Sequence, residues 1–232
     1  MTQINLNQRI GEIVAELPEA VDVFKRYQID FCCGGNRSLS EAIEEQKLDP
    51  DEVLNQLAIA APVHAKTTVD YRTMSSGELI DYIVHQHHGF LYHILPELSE
   101  LTTKILRVHC HKHPDILFKI HSLFHQLKTE LEQHLIKEEE FLFPMIKEFE
   151  QKSTVTLRQS IEQYLAQSET EHDTAGKILK ELRQLTDDYQ VPTEGCATYR
   201  LTYRKLEELE SDLFQHIHLE NNILFKRSLL VS

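Results

Sequence analysis

An internal repeat in the C-terminal two thirds of the chain limits the folds that are open to it. The pattern Gln-His-x-x-x-Glu-x-x-x-Leu-Phe stands at residues 133–143 and again at residues 215–225, at an offset of 82. A second match relates His88 to His172, each followed after five residues by Ile-Leu-x-Glu-Leu, at an offset of 84. Two nearly equal offsets indicate two similar helical hairpins, each with one single histidine and one His-x-x-x-Glu pair.

The four-residue spacing places each His–Glu pair on one face of a helix. Residues i and i+4 lie one turn apart, so His134 points to the same side as Glu138, and His216 to the same side as Glu220. With a rise of about 1.5 Å per residue, antiparallel helices bring the single histidines to a similar depth as these pairs. The sequence therefore predicts that six ionisable side chains converge in a helical core.

Such a group of side chains is costly to bury unless it binds something. Buried carboxylates must be paired, protonated or bound to a metal. The simplest arrangement is two metal ions, each bound by two imidazoles, with Glu138 and Glu220 as bridges and room for an oxo or hydroxo bridge. Ligands that are all nitrogen or oxygen suit iron or manganese. Structural zinc usually has four closed ligands, often with cysteine, and is a weaker match.

The rest of the C-terminal part is typical of long helices. The chain has only seven glycines and seven prolines, and no convincing alternation of polar and apolar residues. Helices are predicted to begin near Ser75, Pro114, Thr154 and Thr198. Four helices with short connections predict an all-α fold, with an antiparallel four-helix bundle over residues 75–232.

Residues 1–62 are predicted to form a small helical domain, followed by a linker over residues 63–74. Ser38 is a candidate helix cap, and Asp49 followed by Pro50 is a strong helix start. Between the predicted helices lies the sequence Cys-Cys-Gly-Gly at residues 32–35.

Adjacent cysteines beside paired glycines favour a thiol function for Cys32 and Cys33. Backbone N–H groups of the turn are expected to lower a thiol pKa. Vicinal thiols can accept an electron pair, bind iron or exchange disulfides. The alternative is a tight turn with two small residues. No third or fourth cysteine stands nearby, which excludes a four-cysteine zinc or iron–sulfur site within this domain.

The other histidines and acidic residues have simpler interpretations. His109 is a possible auxiliary ligand, although a solvated loop is the simpler interpretation of its surroundings. Among His85, His87 and His88, a regular helix points only one inward, and His88 is the one that fits the repeat. Ordinary surface or core roles are expected for a further set, which comprises His64, His93, His113, His121, His125, His218, Glu139 and Glu140.

Charge and composition exclude several kinds of partner and location. The chain of 232 residues carries 24 Lys and Arg against 37 Asp and Glu, a formal net charge of −13. This argues against nucleic acid or an anionic membrane as the main partner. The longest apolar run, at residues 57–63, is too short to span a bilayer. No secretory signal is visible, and four cysteines in a chain of this size predict a reducing cytoplasm.

These motifs together resemble the iron–sulfur cluster repair di-iron proteins, also called the RIC family. The sequence Asp-Phe-Cys-Cys-Gly-Gly at residues 30–35 is similar to the motif of that family's N-terminal domain. The His–Glu pairs of residues 134–144 and 216–222, with Glu-His-Asp at residues 171–173, resemble its hemerythrin-like four-helix bundle. The resemblance covers nearly the whole chain.

The resemblance implies a cytoplasmic, stress-responsive protein with a non-haem di-iron centre and a homodimeric state. It implies that damaged iron–sulfur proteins are the partners, after oxidative or nitrosative stress. It also implies the metal ligands, which are His88, His134, Glu138, His172, His216 and Glu220. His109 matches a histidine of that family that lies close to the site.

Several functions remain open from the sequence. The main hypothesis is repair of iron–sulfur clusters, either by supplying iron or by handling nitric oxide, in which Cys32 and Cys33 assist. This describes a repair or iron-donor protein rather than a conventional enzyme. The alternatives are a sensor or store that binds oxygen or nitric oxide, a nitric oxide reductase, and a metal-free helical interaction module.

Overall fold

The computed structural model describes residues 4–60 and 70–230, and within them the chain is helical. The only extended pairing there is an isolated bridge between Arg9 and Ser38. The α-helices are α1 (Ile10–Glu16), α2 (Ala20–Arg26), α3 (Leu39–Gln46), α4 (Pro50–Ala60), α5 (Ser76–Ile83), α6 (Gly89–His109), α7 (Pro114–Lys137), α8 (Phe143–Gln151), α9 (Val155–Leu185), α10 (Ala197–Leu219) and α11 (Phe225–Leu230). The predicted all-α class is confirmed.

Three π-helical turns interrupt the long helices. They are π1 (Val84–His88), π2 (Glu138–Leu142) and π3 (Glu220–Leu224). The sequence predicts long helices through these positions, but it gives no sign of the π-turns within them. A π-turn adds one residue to the helical turn, which the i, i+4 pattern of side chains does not reveal.

The residue contacts divide the chain into two compact units. The first unit comprises Met1–Leu79 and Phe214–Ser232, and the second comprises Ile80–Leu213. Helices α5 and α10 each contribute residues to both units. The predicted boundary at residue 62 and most of the predicted linker fall on residues 61–69, which lie outside the described residues.

The first unit is built on short helices around an apolar core. Ile10, Phe24, Phe31 and Leu57 are fully or almost fully buried in this core, and Phe214 packs against it. Ser38 caps α3 with a capping box, in which its hydroxyl accepts from the backbone N–H of Glu41. Short helices of seven to eleven residues are marginal alone, so this burial is what stabilises them.

The second unit contains four long helical segments. Helix α7 packs against both α6 and α9. The early part of α10 completes the set, since Lys205 pairs with Glu97 of α6 at 2.8 Å and Glu210 with Arg183 of α9. Leucines and isoleucines with helical spacing fill the interior, as the sequence predicts. Within residues 4–60 and 70–230, no helix has both the length and the apolar character that a bilayer span requires.

Candidate metal centre and thiol loop

The second unit holds four of the six predicted ligands, and all four are buried. His88 ends π1, His134 lies near the end of α7, Glu138 begins π2 and His172 lies in α9. Each has a relative exposure of 3% or less. The nearest ligand atoms of His134, Glu138 and His172 lie within 4.8 Å of one another. Side chains from three different helical segments therefore meet at one point.

One carboxylate oxygen of Glu138 faces two imidazole nitrogens without forming an ordinary hydrogen bond to either. Nε2 of His134 lies 3.1 Å from Nε2 of His172. Oε2 of Glu138 lies 3.3 Å from Nε2 of His134 and 3.5 Å from Nε2 of His88. Among the described residues, this buried oxygen has no hydrogen-bond partner. Its other oxygen, Oε1, accepts from the Ser168 hydroxyl at 2.9 Å.

In two of the imidazoles, the nitrogen that faces away from Glu138 forms a hydrogen bond with another carboxylate. Nδ1 of His88 donates to Oε1 of Glu139 at 2.7 Å, and Nδ1 of His134 donates to Oε2 of Glu171 at 2.8 Å. A histidine that donates through Nδ1 presents a lone pair at Nε2. The expectation that Glu139 belongs to a solvated face is wrong, because it orients His88 and also accepts from the Tyr92 hydroxyl.

This donor set fits a metal ion. The Nε2 atoms of His88 and His134 and Oε2 of Glu138 converge on one point, and imidazole nitrogen and carboxylate oxygen are ligands that transition-metal ions take. Imidazoles whose Nδ1 donates to a carboxylate are the usual form of histidine metal ligands. The arrangement in the second unit therefore has the chemistry of a site for a cation with nitrogen and oxygen ligands.

The carboxylates around this site are ionised. Burial alone would raise the pKa of Glu138, but the positive charge of His134 and the N–H groups of His134 and His88 that face this carboxylate hold it well below its usual value while these imidazoles are protonated. Burial also opposes ionisation of Glu171, yet hydrogen bonds from His134 and Lys137 lower its pKa to about 2. Both therefore carry a negative charge at neutral pH, as the binding of a cation requires.

The remaining two predicted ligands lie in the first unit and form the second His–Glu pair. Nε2 of His216 donates to Oε1 of Glu220 at 2.9 Å, and both side chains are fully buried. The equivalent atoms of His134 and Glu138 are 3.3 Å apart. In both copies of the repeat the glutamate is the first residue of a π-turn and faces the preceding histidine, but the hydrogen bond is formed only in the second copy.

Two expectations about other histidines are wrong. His87 is buried as well as His88, and its Nδ1 donates to Asp212 at 3.0 Å. The expectation assumed a regular α-helix, whereas both residues lie in the π-turn π1, whose hydrogen bonds join residues five apart. His109 lies at the far end of α6, about 30 Å from His88 at 1.5 Å per residue, and contacts Sγ of Cys196 at 3.3 Å. It cannot be an auxiliary ligand beside His88.

The predicted thiol pair lies in a short loop between α2 and α3. Cys32 is buried and Cys33 is partly buried, and their Sγ atoms are 3.7 Å apart. The Cys32 thiol donates to Oδ1 of Asp30 at 3.2 Å. The hydrogen bond with Cys33, burial and the nearby charge of Asp30 raise the pKa of Cys32 well above its usual value. The expected lowering of a thiol pKa is wrong for Cys32, because the backbone N–H groups of the turn bind Asp30.

The two glycines after the cysteines are required by close packing. A Cβ at Gly34 would lie 2.8 Å from the backbone oxygen of Asp30. A Cβ at Gly35 would lie 2.8 Å from the backbone oxygen of Phe31 and 2.5 Å from Oδ1 of Asn222. Asn222, a residue of π3, donates from Nδ2 to the carbonyl oxygens of Phe31 at 3.2 Å and Cys32 at 3.1 Å.

Two family models match the chain, and the second of them extends beyond the second unit into residues 214–228 of the first. Residues 6–61 match a domain of unknown function, DUF542, and residues 79–228 match the hemerythrin HHE cation binding domain. The iron–sulfur cluster repair protein ScdA of Staphylococcus haemolyticus is 33% identical over 94% of this chain and 96% of its own length. The chain belongs to the iron–sulfur cluster repair protein family.

Other members of this family are similar over nearly the whole chain. The iron–sulfur cluster repair protein YtfE of Enterobacter sp. strain 638 is 37% identical over 96% of this chain and 97% of its own length. YtfE of Escherichia coli O81 is 36% identical over the same shares. The predicted resemblance to the RIC family is confirmed, and residues 79–228 belong to a family of helical, cation-binding hemerythrin domains.

Proposed function

We propose that this protein takes part in the repair of iron–sulfur clusters that oxidative or nitrosative stress has damaged, by supplying iron or by handling nitric oxide. The observation that carries the proposal is the buried Glu138, whose Oε2 faces Nε2 of both His88 and His134. The relatives named iron–sulfur cluster repair proteins support the same role.

The proposed cofactor is a pair of iron ions. The residues that would hold them are His88, His134, Glu138, His172, His216 and Glu220, with the two glutamates as bridges. Support comes from the repeat, which gives both His–Glu pairs the same spacing, and from the cation-binding family of the bundle. The oxo or hydroxo bridge stays a prediction. Iron in such a site would supply redox chemistry and affinity for diatomic gases.

The residues around the ligands determine how tightly a cation is held. Glu139 and Glu171 accept from Nδ1 of His88 and His134, which orients Nε2 of both imidazoles toward Oε2 of Glu138. Ser168 fixes the orientation of Glu138 through Oε1. The proposed ligands contain no thiolate, and this favours labile ferrous iron over tightly bound zinc. A labile ion suits a protein that donates iron.

The test is a transfer experiment with a cluster enzyme that nitric oxide has inactivated. The iron-loaded protein is mixed with the damaged enzyme, and recovered activity is compared with that from the same concentration of free ferrous salt. We expect recovery above the ferrous salt control, and recovery reduced to that control with His134→Ala. Recovery no greater than with free ferrous salt would reject the iron-donor role.

A second candidate function is binding of oxygen or nitric oxide as a sensor or store. A small cavity beside His134 and Glu138, which Tyr164 and Gln167 help to line, favours access of a small molecule to this point. Replacement of Cys32 and Cys33 by serine separates the two functions. A gas-binding protein keeps its nitric oxide spectrum in this double variant, whereas a repair protein that uses the thiols loses repair.

We further propose that the protein works in the cytoplasm as a homodimer, with damaged iron–sulfur proteins as its partners. The net charge of −13 makes nucleic acid and anionic membranes poor alternatives as partners. Light scattering tests the dimer, which should have about twice the chain mass of 27.1 kDa. A mass equal to one chain at micromolar concentration would contradict the dimer and leave the repair role unaffected.

A further inference from the structure

We propose that Asp30, Cys32 and Cys33 form a separate metal-binding site, which holds one divalent transition-metal ion through two thiolates and one carboxylate. The nearest ligand atoms of the three residues lie within 4.8 Å of one another. All three belong to the first unit and none is part of the histidine and glutamate set. The inference therefore does not depend on iron in the bundle.

The spacing of the two sulfur atoms is the first argument. Two thiolates that bind one tetrahedral ion at about 2.3 Å are separated by about 3.8 Å. The Sγ atoms of Cys32 and Cys33 are 3.7 Å apart. Adjacent residues reach this distance without a disulfide, so both sulfurs can bind the same ion with little movement of the loop.

The carboxylate of Asp30 is fixed toward the sulfurs. Its Oδ1 accepts from the backbone N–H groups of Cys32 at 3.2 Å and Gly34 at 3.0 Å. The Cys32 thiol donates to the same oxygen at 3.2 Å. In a tetrahedral site the corresponding sulfur and oxygen atoms would be about 3.6 Å apart, from bonds of about 2.3 and 2.1 Å. A shift of a few tenths of an ångström suffices.

A bound ion replaces the thiol protons. With both thiols protonated, binding of one divalent ion forms two metal–thiolate bonds and one metal–carboxylate bond and releases two protons to solvent. Metal binding at this loop is therefore expected to strengthen as the pH rises.

The loop is preorganised for such a site. Asn222 donates to the carbonyl oxygens of Phe31 and Cys32, and the lack of a Cβ at Gly34 and Gly35 lets the loop close tightly. Ligands that are already in place lose little conformational entropy on binding. Three donors leave at least one coordination position of a tetrahedral ion open to water or to another ligand.

The experiment is a titration of the metal-free, full-length protein with cobalt(II), followed by absorption. Cobalt bound to thiolate gives an intense charge-transfer band in the near ultraviolet, whereas histidine and carboxylate ligands do not. We expect the intensity of this band at saturation to correspond to one thiolate-bound cobalt ion per chain, in addition to any cobalt that the histidine and glutamate ligands bind. The band should disappear in Cys33→Ser, weaken at least tenfold in apparent affinity in Asp30→Asn, and remain in the matched control Cys196→Ser, since Cys196 is an exposed cysteine of the other unit.

Two further measurements exclude misfolding of a variant and binding at the proposed iron site as explanations of the result. Cys32 is buried, so circular dichroism of Cys32→Ser checks its fold, and the partly buried Cys33 gives the second variant if Cys32→Ser does not fold. In His134→Ala the band should be unchanged, which separates this site from the proposed iron site. Absence of the band in the wild-type protein, or its survival in Cys33→Ser, would overturn the proposal.

Discussion

At the scale of single residues, the chemistry of each imidazole is set by the partner of its other nitrogen. Glu139 and Glu171 accept from Nδ1 of His88 and His134, and so determine which nitrogen is available to a metal. The repeat predicts the histidines, because their spacing is visible in one sequence. It does not predict these carboxylates, since Glu171 acts across helices and Glu139 lies in a run of three glutamates that is typical of a solvated face.

Replacement of Glu171 by glutamine is expected to weaken metal binding. The amide removes the charge that holds the Nδ1 proton of His134, and loss of such a partner typically costs about 10- to 100-fold in metal affinity. Competition with a chromophoric chelator measures the change. Glu169→Gln, an exposed position on the same helix, is the matched control and should bind like the wild type. Equal affinities for the two variants would show that Glu171 does not orient His134.

The close packing of the glycines in the thiol loop can also be tested by replacing a single residue. In Gly35→Ala, the new methyl group would lie 2.5 Å from Oδ1 of Asn222 and 2.8 Å from the backbone oxygen of Phe31. Overpacking of this kind costs about 1–3 kcal/mol. We expect the free energy of unfolding in urea to fall by this amount.

Gly77→Ala is the matched control for this variant. A Cβ at Gly77 has no other atom within 4 Å, and alanine favours the helical state by up to about 1 kcal/mol. We therefore expect unchanged or slightly higher stability for Gly77→Ala. A Gly35→Ala protein as stable as Gly77→Ala would mean that the loop is looser than the structure shows.

At the scale of elements, the sequence predicts where helices are but not how they turn. Helix start signals such as Ser38 and Asp49-Pro50 coincide with the observed N-terminal ends of α3 and α4, because capping is a local property. The π-turns have no such local signal. Each lies at predicted ligands, since His88 ends π1, Glu138 begins π2 and Glu220 begins π3. The wider turn is consistent with a functional constraint, because π-turns are frequent at functional sites.

Hydrogen exchange tests the connection between the π-turns and a metal. Local openings are easier where backbone hydrogen bonds are poor, and a ligand held by the native state suppresses them. We expect the amides of π2 and π3 to exchange at least tenfold more slowly in iron-loaded protein than in metal-free protein. The exposed start of α9 should show no change. Equal exchange at π2 with and without iron would separate the π-turns from metal binding.

At the scale of the whole molecule, the fold class follows from the sequence more directly than the arrangement of the chain does. Long helical periodicity and few glycines predict an all-α protein, and the repeat predicts two hairpins. The assignment of Phe214–Ser232 to the same unit as the N-terminal helices has no such signal. It depends on long-range packing, such as the contact of Phe214 with the N-terminal core and the hydrogen bonds from Asn222 to the thiol loop.

The most direct test of the account is the iron content per chain of the wild-type protein and two variants, measured together with the visible absorption spectrum. The six proposed ligands predict two iron ions per wild-type chain. They also predict fewer than one in both His134→Ala and His216→Ala, because each variant removes one histidine of a matched His–Glu pair. The double variant Cys32→Ser, Cys33→Ser should keep both ions. A wild-type protein that binds no iron under anaerobic loading, or variants that bind as much as the wild type, would contradict the account.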